Sequence, residues 1–210
     1  AVGMGVNGAQ LSGVRKQAER VFNTYGEAVD AIFIFAGTND FYGNIPLGDR
    51  YRERRETVTI LRDSEGNALG VEERRVRELN MSGNTVRGRL DLIMSYLRQN
   101  YPTKLVVLMT PVHRAYATFG ASNIQYSELY ANSLGEFFED YVQAVRDAAD
   151  IWSAPLIDLY REGGLSPLTD ESAAAFYVNT ETDRLHLNPA GHRRIAGIIA
   201  GYMRRFEDII

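Results

Sequence analysis

A carboxylate and an imidazole stand three residues apart near the end of the sequence, at Asp183 and His186. A carboxylate that holds one ring nitrogen of an imidazole leaves the other nitrogen free to take a proton from a nucleophile and to return it to a leaving group. We therefore expect His186 to be a general base that Asp183 orients. An isolated Asp-x-x-His pair is equally typical of a turn-capping aspartate beside a surface histidine.

A second group with chemical potential is the amide of Asn39, in the run Gly37-Thr38-Asn39-Asp40. This run directly follows an apolar, strand-like segment, and the ends of such strands are where open sheets bind ligands. The amide can donate two hydrogen bonds to a developing oxyanion without carrying a charge of its own. Asparagine and aspartate are also common in turns after strands, so the motif by itself fits a structural role too.

The N-terminal run Gly3-Met4-Gly5-Val6-Asn7-Gly8 matches the G-x-G-x-x-G pattern of dinucleotide-binding folds. That reading also requires an acidic residue at the end of the next strand, roughly 20 residues further on. Asp30 precedes the strand and Asp40 lies beyond the expected distance, so the pattern does not favour a nicotinamide or flavin cofactor. Glycines here also permit tight turns and the close approach of a backbone N–H to a ligand.

Buried strands and amphipathic helices alternate along the chain. Three short apolar runs indicate strands, at residues 31–36, 105–109 and 155–159. Apolar residues recur at helical spacing over 86–97 and 134–145, and a last helix is expected from Asn188-Pro189, burying Ile195, Ile198, Ile199, Tyr202 and Phe206. The pattern predicts a three-layer α/β/α fold with a flavodoxin-like parallel sheet, whose sites lie at the carboxyl ends of the strands.

One stretch departs from this alternation. Residues 56–62 and 68–71 have the composition of strands and flank a turn-forming segment, 63–67. We expect a β-hairpin insertion at 56–72. No internal repeat or linker divides the chain, and its length suits one domain spanning 1–210.

Composition excludes several classes of function. A net charge of -4, with both signs interleaved, gives no reason to expect a nucleic-acid partner. No apolar run approaches the roughly 20 residues of a membrane span. The absence of cysteine excludes disulfides, thiolate metal sites and a cysteine nucleophile. The histidines His113, His186 and His192 form no closed ligand set, so neither a metal nor an organic cofactor is expected.

Taken together, these motifs resemble the SGNH (GDSL-like) hydrolase superfamily. Residues 5–9 look like its glycine block, Gly37-Thr38-Asn39-Asp40 like its G-x-N-D block, and Asp183-Arg184-Leu185-His186 like its D-x-x-H block, in the family's order. Residues 40–48 and 110–114 also look like bacterial members associated with acyl-ester cleavage. The resemblance covers nearly the whole chain.

The chain departs from the family pattern at the nucleophile, because no Gly-Asp-Ser block occurs anywhere in it. The family places that block on its first strand, before the glycine block. We therefore expect the first strand and its serine to lie upstream of Ala1, and we expect residues 1–210 to fold poorly without them, since a sheet lacking a central strand has unpaired backbone groups.

The resemblance implies a serine-type ester hydrolase that acts through an acyl-enzyme. In it His186 and Asp183 would be catalytic, and the Gly8 backbone N–H and the Asn39 side chain would form the oxyanion hole. Asp40 and His113 are candidates for substrate binding, and the substrate expected is a small-molecule ester, with a small acyl group on a carbohydrate favoured. An acyltransferase of the same fold and a catalytically inactive ligand-binding module are the alternatives.

Overall fold

The computed structural model describes residues 1–207, and residues 208–210 lie outside the described part. The helices are α1 (Leu11–Tyr25), α2 (Thr38–Tyr42), α3 (Val86–Asn100), α4 (Phe138–Ile151), α5 (Leu159–Glu162), α6 (Asp170–Phe176) and α7 (Pro189–Met203). The strands are β1 (Ala31–Phe35), β2 (Tyr51–Arg62), β3 (Ala68–Leu79), β4 (Leu105–Met109), β5 (Ala117–Thr118), β6 (Ile124–Gln125), β7 (Leu156–Ile157), β8 (Tyr177–Asn179) and β9 (Asp183–Leu187).

A parallel sheet of order β1-β4-β7 forms the middle layer. Side chains alternate across a strand, and β4 shows the consequence. Val106 and Leu108 pack into a core made with α1, α3 and α4, whereas Val107 and Met109 pack into a second core that includes Ile195 of α7. Both faces of the sheet are thus covered by helices, which confirms the predicted α/β/α fold.

The first strand of this sheet, β1, has one open edge. Among the described residues it pairs with β4 alone, and Phe35 at its end is 47% exposed. Parallel strands are normally covered on both faces and paired at both edges. The open edge of β1 has unpaired backbone N–H and C=O groups, which can pair with a further strand. The expectation of an additional strand outside residues 1–210 stays a prediction.

Two predicted boundaries were wrong. The strand expected over 155–159 is only Leu156–Ile157, because Asp158 leaves the strand and caps α5 by accepting a hydrogen bond from Arg161 N. The apolar pattern of 134–145 begins too early, since α4 starts at Phe138 and both Leu134 and Phe137 are largely exposed.

The last helix begins where the sequence predicted. Asn188 caps it by accepting hydrogen bonds from Ala190 N at 2.8 Å and Gly191 N at 3.0 Å, and Pro189 occupies the first turn. Ile195 is buried, whereas Phe206 lies beyond the helix in a 3-10 turn. Within residues 1–207, no helix combines the length and the apolar character that crossing a membrane requires.

The β-hairpin is real but longer than predicted. It spans residues 51–79 rather than 56–72, as strands β2 and β3 of 12 residues each, so its length is about 40 Å. Both faces are exposed and carry ion pairs, for example Arg54 to Glu78 at 2.6 Å and Arg77 to Glu53 at 2.9 Å. The sequence pattern predicted too short a hairpin because residues 51–55 and 73–79, at the strand ends far from the turn, are mostly charged. They therefore show no alternation of apolar and polar residues.

Shortening the hairpin should leave the rest of the fold intact. Replacing residues 56–74 by Asn-Gly, which favours a two-residue turn between the paired residues Arg55 and Arg75, removes side chains that are mostly exposed. We expect the free energy of unfolding of the complete protein, measured by urea denaturation, to change by less than about 1 kcal/mol. A loss above about 3 kcal/mol would show that the hairpin packs on the rest of the chain.

Candidate active site

The imidazole of His186 is held by Asp183 on strand β9. Oδ2 of Asp183 lies 3.0 Å from Nδ1 of His186, while Oδ1 accepts the backbone N–H groups of Leu185 at 3.1 Å and His186 at 2.9 Å. The Asp183 side chain is 12% exposed and that of His186 is 55% exposed. Since an ionised carboxylate only accepts hydrogen bonds, this contact favours the tautomer with the proton on Nδ1, and Nε2 has no hydrogen-bond partner among the described residues.

The sequence pattern predicted this pair but not the strand that carries it. β9 pairs antiparallel with β8 and with β5. β8 and β9 give no strand signal in the sequence, because they are short and lack the continuous apolar run that marks β1 and β4.

Asn39 lies in the short helix α2, directly after β1. Gly37 caps this helix with a φ of 119°, and a Cβ at that position would approach Pro111 Cγ to 3.4 Å, so a glycine suits the turn. The side-chain Nδ2 of Asn39 donates to the carbonyl oxygen of Ala9 at 3.1 Å. The amide has a second N–H that this bond does not use.

Gly8 lies in a tight turn beside Asn39. The turn is closed by Ala9 N donating to Val6 O at 3.1 Å, and Gly8 has a φ of 71°, which suits the third position of a type II turn. A Cβ at Gly8 would meet no atom within 4 Å, so open space surrounds this backbone. The Asn39–Ala9 bond therefore brings the glycine turn and the amide together.

Asp40 does not line this site, which corrects its candidacy as a substrate-binding residue. Its side chain is fully buried; Oδ2 accepts Leu11 N at 2.9 Å and Oδ1 accepts Arg89 at 2.8 Å. Burial raises the pKa of Asp40, against the lowering effect of these two donors. Its role is structural, because it joins the start of α1 to α2 and to α3.

A residue that the sequence analysis did not single out, Arg114, links the two halves of the site. Its guanidinium is fully buried and donates to Thr38 O at 3.2 Å, to Thr38 Oγ1 at 3.3 Å and to Gln125 Oε1 at 2.7 Å. Its central carbon lies 5.5 Å from the ring centre of Phe41 and 5.8 Å from that of Phe138. Burial lowers the pKa of Arg114 to about 10, so it is charged at neutral pH.

The backbone after Arg114 reaches the strand of His186. Ala115 N donates to Arg184 O at 2.9 Å, and Arg184 N donates to Tyr116 O at 3.0 Å. Among the described residues no hydrogen bond joins His186 directly to Asn39 or Gly8. The connection runs through residues 114–116 instead, with Thr38 at one end and β9 at the other.

The aromatic side chain of Phe119 flanks His186. The Phe119 ring centre lies 5.2 Å from that of His186, and Phe119 and Tyr116 are 43% and 42% exposed. Tyr126 is not part of this surface, because its ring packs against that of Phe41, with ring centres 5.4 Å apart. Phe119 therefore provides an open aromatic surface beside the imidazole, and Tyr116 is exposed three residues before it.

The other two histidines are separate from this dyad. His192 is exposed on α7. His113 follows β4, and its Nδ1 lies 2.6 Å from Glu128 Oε1. Within residues 1–207, no three histidine, aspartate or glutamate side chains come close enough to hold a metal ion.

Comparison with known proteins identifies the family. The profile of the GDSL-like Lipase/Acylhydrolase family matches residues 1–194, and the chain belongs to that family. Its esterase and acylhydrolase character follows in general terms from this membership. No curated protein sequence matches the chain.

Solved structures share the fold. A protein of Lactobacillus plantarum is 26% identical with a TM-score of 0.65, over 90% of this chain and 72% of that protein. A possible lipase from Chitinophaga pinensis is 20% identical with a TM-score of 0.62, over 95% and 80% of the two chains. An acetyl xylan esterase is 15% identical with a TM-score of 0.50, over 94% and 78%.

The link made by Arg114 predicts a large stability effect. Arg114→Met leaves the buried acceptor of Gln125 and the partly buried acceptors of Thr38 without this donor, so we expect a loss of about 2–4 kcal/mol in the free energy of unfolding. The matched substitution Arg75→Met, in the exposed hairpin, should change it by less than about 0.5 kcal/mol. Chemical denaturation of the complete protein carrying each substitution measures these losses, and equal losses would contradict the role assigned to Arg114.

Proposed function

We propose that this chain supplies the general base and the oxyanion-binding groups of a serine-type carboxylic ester hydrolase. The observation that carries the proposal is the His186–Asp183 pair, in which Asp183 occupies Nδ1 and Nε2 has no hydrogen-bond partner among the described residues. An oriented imidazole with an open Nε2 suits a proton transfer to and from a reacting group.

In the proposed reaction a serine hydroxyl attacks the ester carbonyl. As the new C–O bond forms, Nε2 of His186 takes the hydroxyl proton, and the carbonyl oxygen becomes an oxyanion. The imidazolium, stabilised by Asp183, then gives the proton to the departing alcohol, which leaves an acyl-enzyme. Water repeats the sequence on the acyl-enzyme and releases the acid.

The oxyanion would be bound by neutral donors. These donors are the backbone N–H of Gly8 and the second N–H of the Asn39 side chain. They lie near each other because Asn39 donates its first N–H to Ala9, the residue after Gly8. Donors held in place before the reaction stabilise developing charge without reorganising at the transition state.

The serine belongs, in this proposal, to polypeptide outside residues 1–210. Among the described residues no serine or threonine hydroxyl hydrogen-bonds to His186, whose partners come from Asp183 alone. The open edge of β1 adjoins Asn39 in the chain and offers a place for a strand that could present such a serine.

We further propose that the acyl group is small and is carried by a carbohydrate. The exposed ring of Phe119 lies beside His186, and the exposed Tyr116 adjoins β9 through its backbone oxygen, which accepts Arg184 N. Aromatic faces suit the apolar faces of sugars. The acetyl xylan esterase of similar fold acts, by its name, on an acetylated sugar polymer.

Site variants of the complete protein test the assignment with a short-chain aryl ester. His186→Ala and Asp183→Asn should lower kcat by about four orders of magnitude, since one removes the base and the other disturbs its tautomer. Asn39→Ala should cost about two to three orders of magnitude through the lost oxyanion donor. His192→Ala, a change to an exposed histidine on α7, serves as the control. Full activity in His186→Ala would exclude the proposed base.

A covalent probe locates the nucleophile and separates the alternatives. After treatment of the complete protein with a fluorophosphonate, peptide mass spectrometry should find the label on a serine outside residues 1–210, and His186→Ala should abolish labelling. Label on Ser12, or on another serine of this chain, would disprove the proposed arrangement. A protein with neither label nor turnover would instead support the binding module, and transfer of the acyl group to an added sugar in preference to water would support the acyltransferase.

A further inference from the structure

We propose that His113, oriented by Glu128, binds a free hydroxyl group on the alcohol part of the substrate. This inference rests on the proposed ester hydrolysis and narrows its substrate class to esters of polyhydroxylated alcohols. It assigns a binding role to a second imidazole–carboxylate pair that the hydrolytic steps do not use.

Glu128 fixes one side of the His113 ring. Its Oε1 lies 2.6 Å from Nδ1 of His113, and its Oε2 accepts the backbone N–H of Arg114 at 2.9 Å. The Glu128 side chain is only 5% exposed. A buried carboxylate with both oxygens engaged cannot swing away to release the ring.

Stacking fixes the ring plane. The centres of the His113 and Tyr160 rings are 3.7 Å apart with an angle of 27° between the planes. The backbone of Tyr160 is itself held, because its N–H donates to Thr110 Oγ1 at 2.9 Å. The backbone oxygen of His113 accepts the hydroxyl of Tyr177 at 2.9 Å. The imidazole is thus set in one orientation before any ligand binds.

One polar atom of this ring is left for a ligand. Nε2 of His113 has no hydrogen-bond partner in the part of the chain that the structure describes, and this atom is not buried. The side chain is 24% exposed, so Nε2 is open to solvent. With Nδ1 protonated against the carboxylate, neutral Nε2 accepts a hydrogen bond, as from a hydroxyl.

The two residues that follow His113 in the chain contact both halves of the candidate active site. Arg114, the following residue, donates to Thr38, which precedes Asn39. Ala115 donates to Arg184, two residues before His186. A substrate whose carbonyl lies at Asn39 and whose leaving oxygen lies near His186 would extend its alcohol part past this segment.

The chemistry predicts selectivity between alcohols. A site with a fixed polar group strongly favours ligands that complete its hydrogen bond, because an analogue without the hydroxyl leaves the group desolvated and unpaired. An acylated sugar with free hydroxyls meets this requirement, whereas an aryl alcohol without hydroxyls does not. His113 should therefore matter for the first kind of ester and not for the second.

The test uses the complete protein and three acetyl esters: a monoacetylated methyl xyloside with free hydroxyls, the same compound with those hydroxyls methylated, and an aryl acetate. The variant His113→Phe keeps a ring to stack on Tyr160 but removes both nitrogens. We expect kcat/KM for the hydroxylated ester to fall about tenfold, mainly through KM, with changes below about twofold for the other two esters. His192→Phe, on exposed α7, is the matched control.

A second variant distinguishes a lost hydrogen bond from a general folding defect. His113→Gln places an amide nitrogen near the position of Nε2, and this nitrogen can donate to the oxygen of the same hydroxyl group, so the variant should recover part of the preference for the hydroxylated ester. Equal losses for all three esters in both variants, or no loss for any of them, would overturn the role of His113 while leaving the hydrolase proposal standing. A wild-type protein that hydrolyses none of the three would refute the proposed function and this inference with it.

Discussion

The buried guanidinium of Arg114 is the interaction on which the candidate site depends. It carries a positive charge into the interior, where desolvation opposes the charged form and lowers its pKa to about 10. That cost is offset by hydrogen bonds to Thr38 and Gln125 and by the faces of Phe41 and Phe138. Arg114 also begins the segment that pairs with β9. This one buried side chain therefore helps to position both the turn that carries Asn39 and the strand that carries His186.

The parts of the fold that the sequence predicted correctly are those with strong local signals. The strand Leu105–Met109 is continuously apolar because both of its faces are buried, and the start of α7 is marked by Asn188 and Pro189. The Asp183–His186 pair was also predictable, because the backbone between them is short enough for one carboxylate to bind both the ring and the backbone of His186. Family resemblance added the roles of Gly8 and Asn39, which remain predictions.

The parts that escaped prediction are set by tertiary contacts. Nothing local distinguishes Arg114 from a surface arginine, since its importance comes from Thr38, 76 residues away in sequence. Asp40 is polar and follows a motif glycine, yet burial against Leu11 and Arg89 makes it structural. The hairpin was underestimated because cross-strand ion pairs such as Arg54–Glu78 stabilise strands whose sequence has no apolar face. Such features require knowledge of which segments meet.

The central claim is that Gly8, Asn39 and His186 surround one reacting carbon. Its most direct test is a crystal structure of the complete protein with a phosphonate bound covalently to the nucleophilic serine, as a mimic of the tetrahedral intermediate. The account predicts a phosphonyl oxygen within about 3 Å of both the Gly8 backbone nitrogen and Asn39 Nδ2, with His186 Nε2 in hydrogen-bond reach of the serine oxygen. A phosphonyl oxygen bound by other donors, with Asn39 remote from it, would contradict the account.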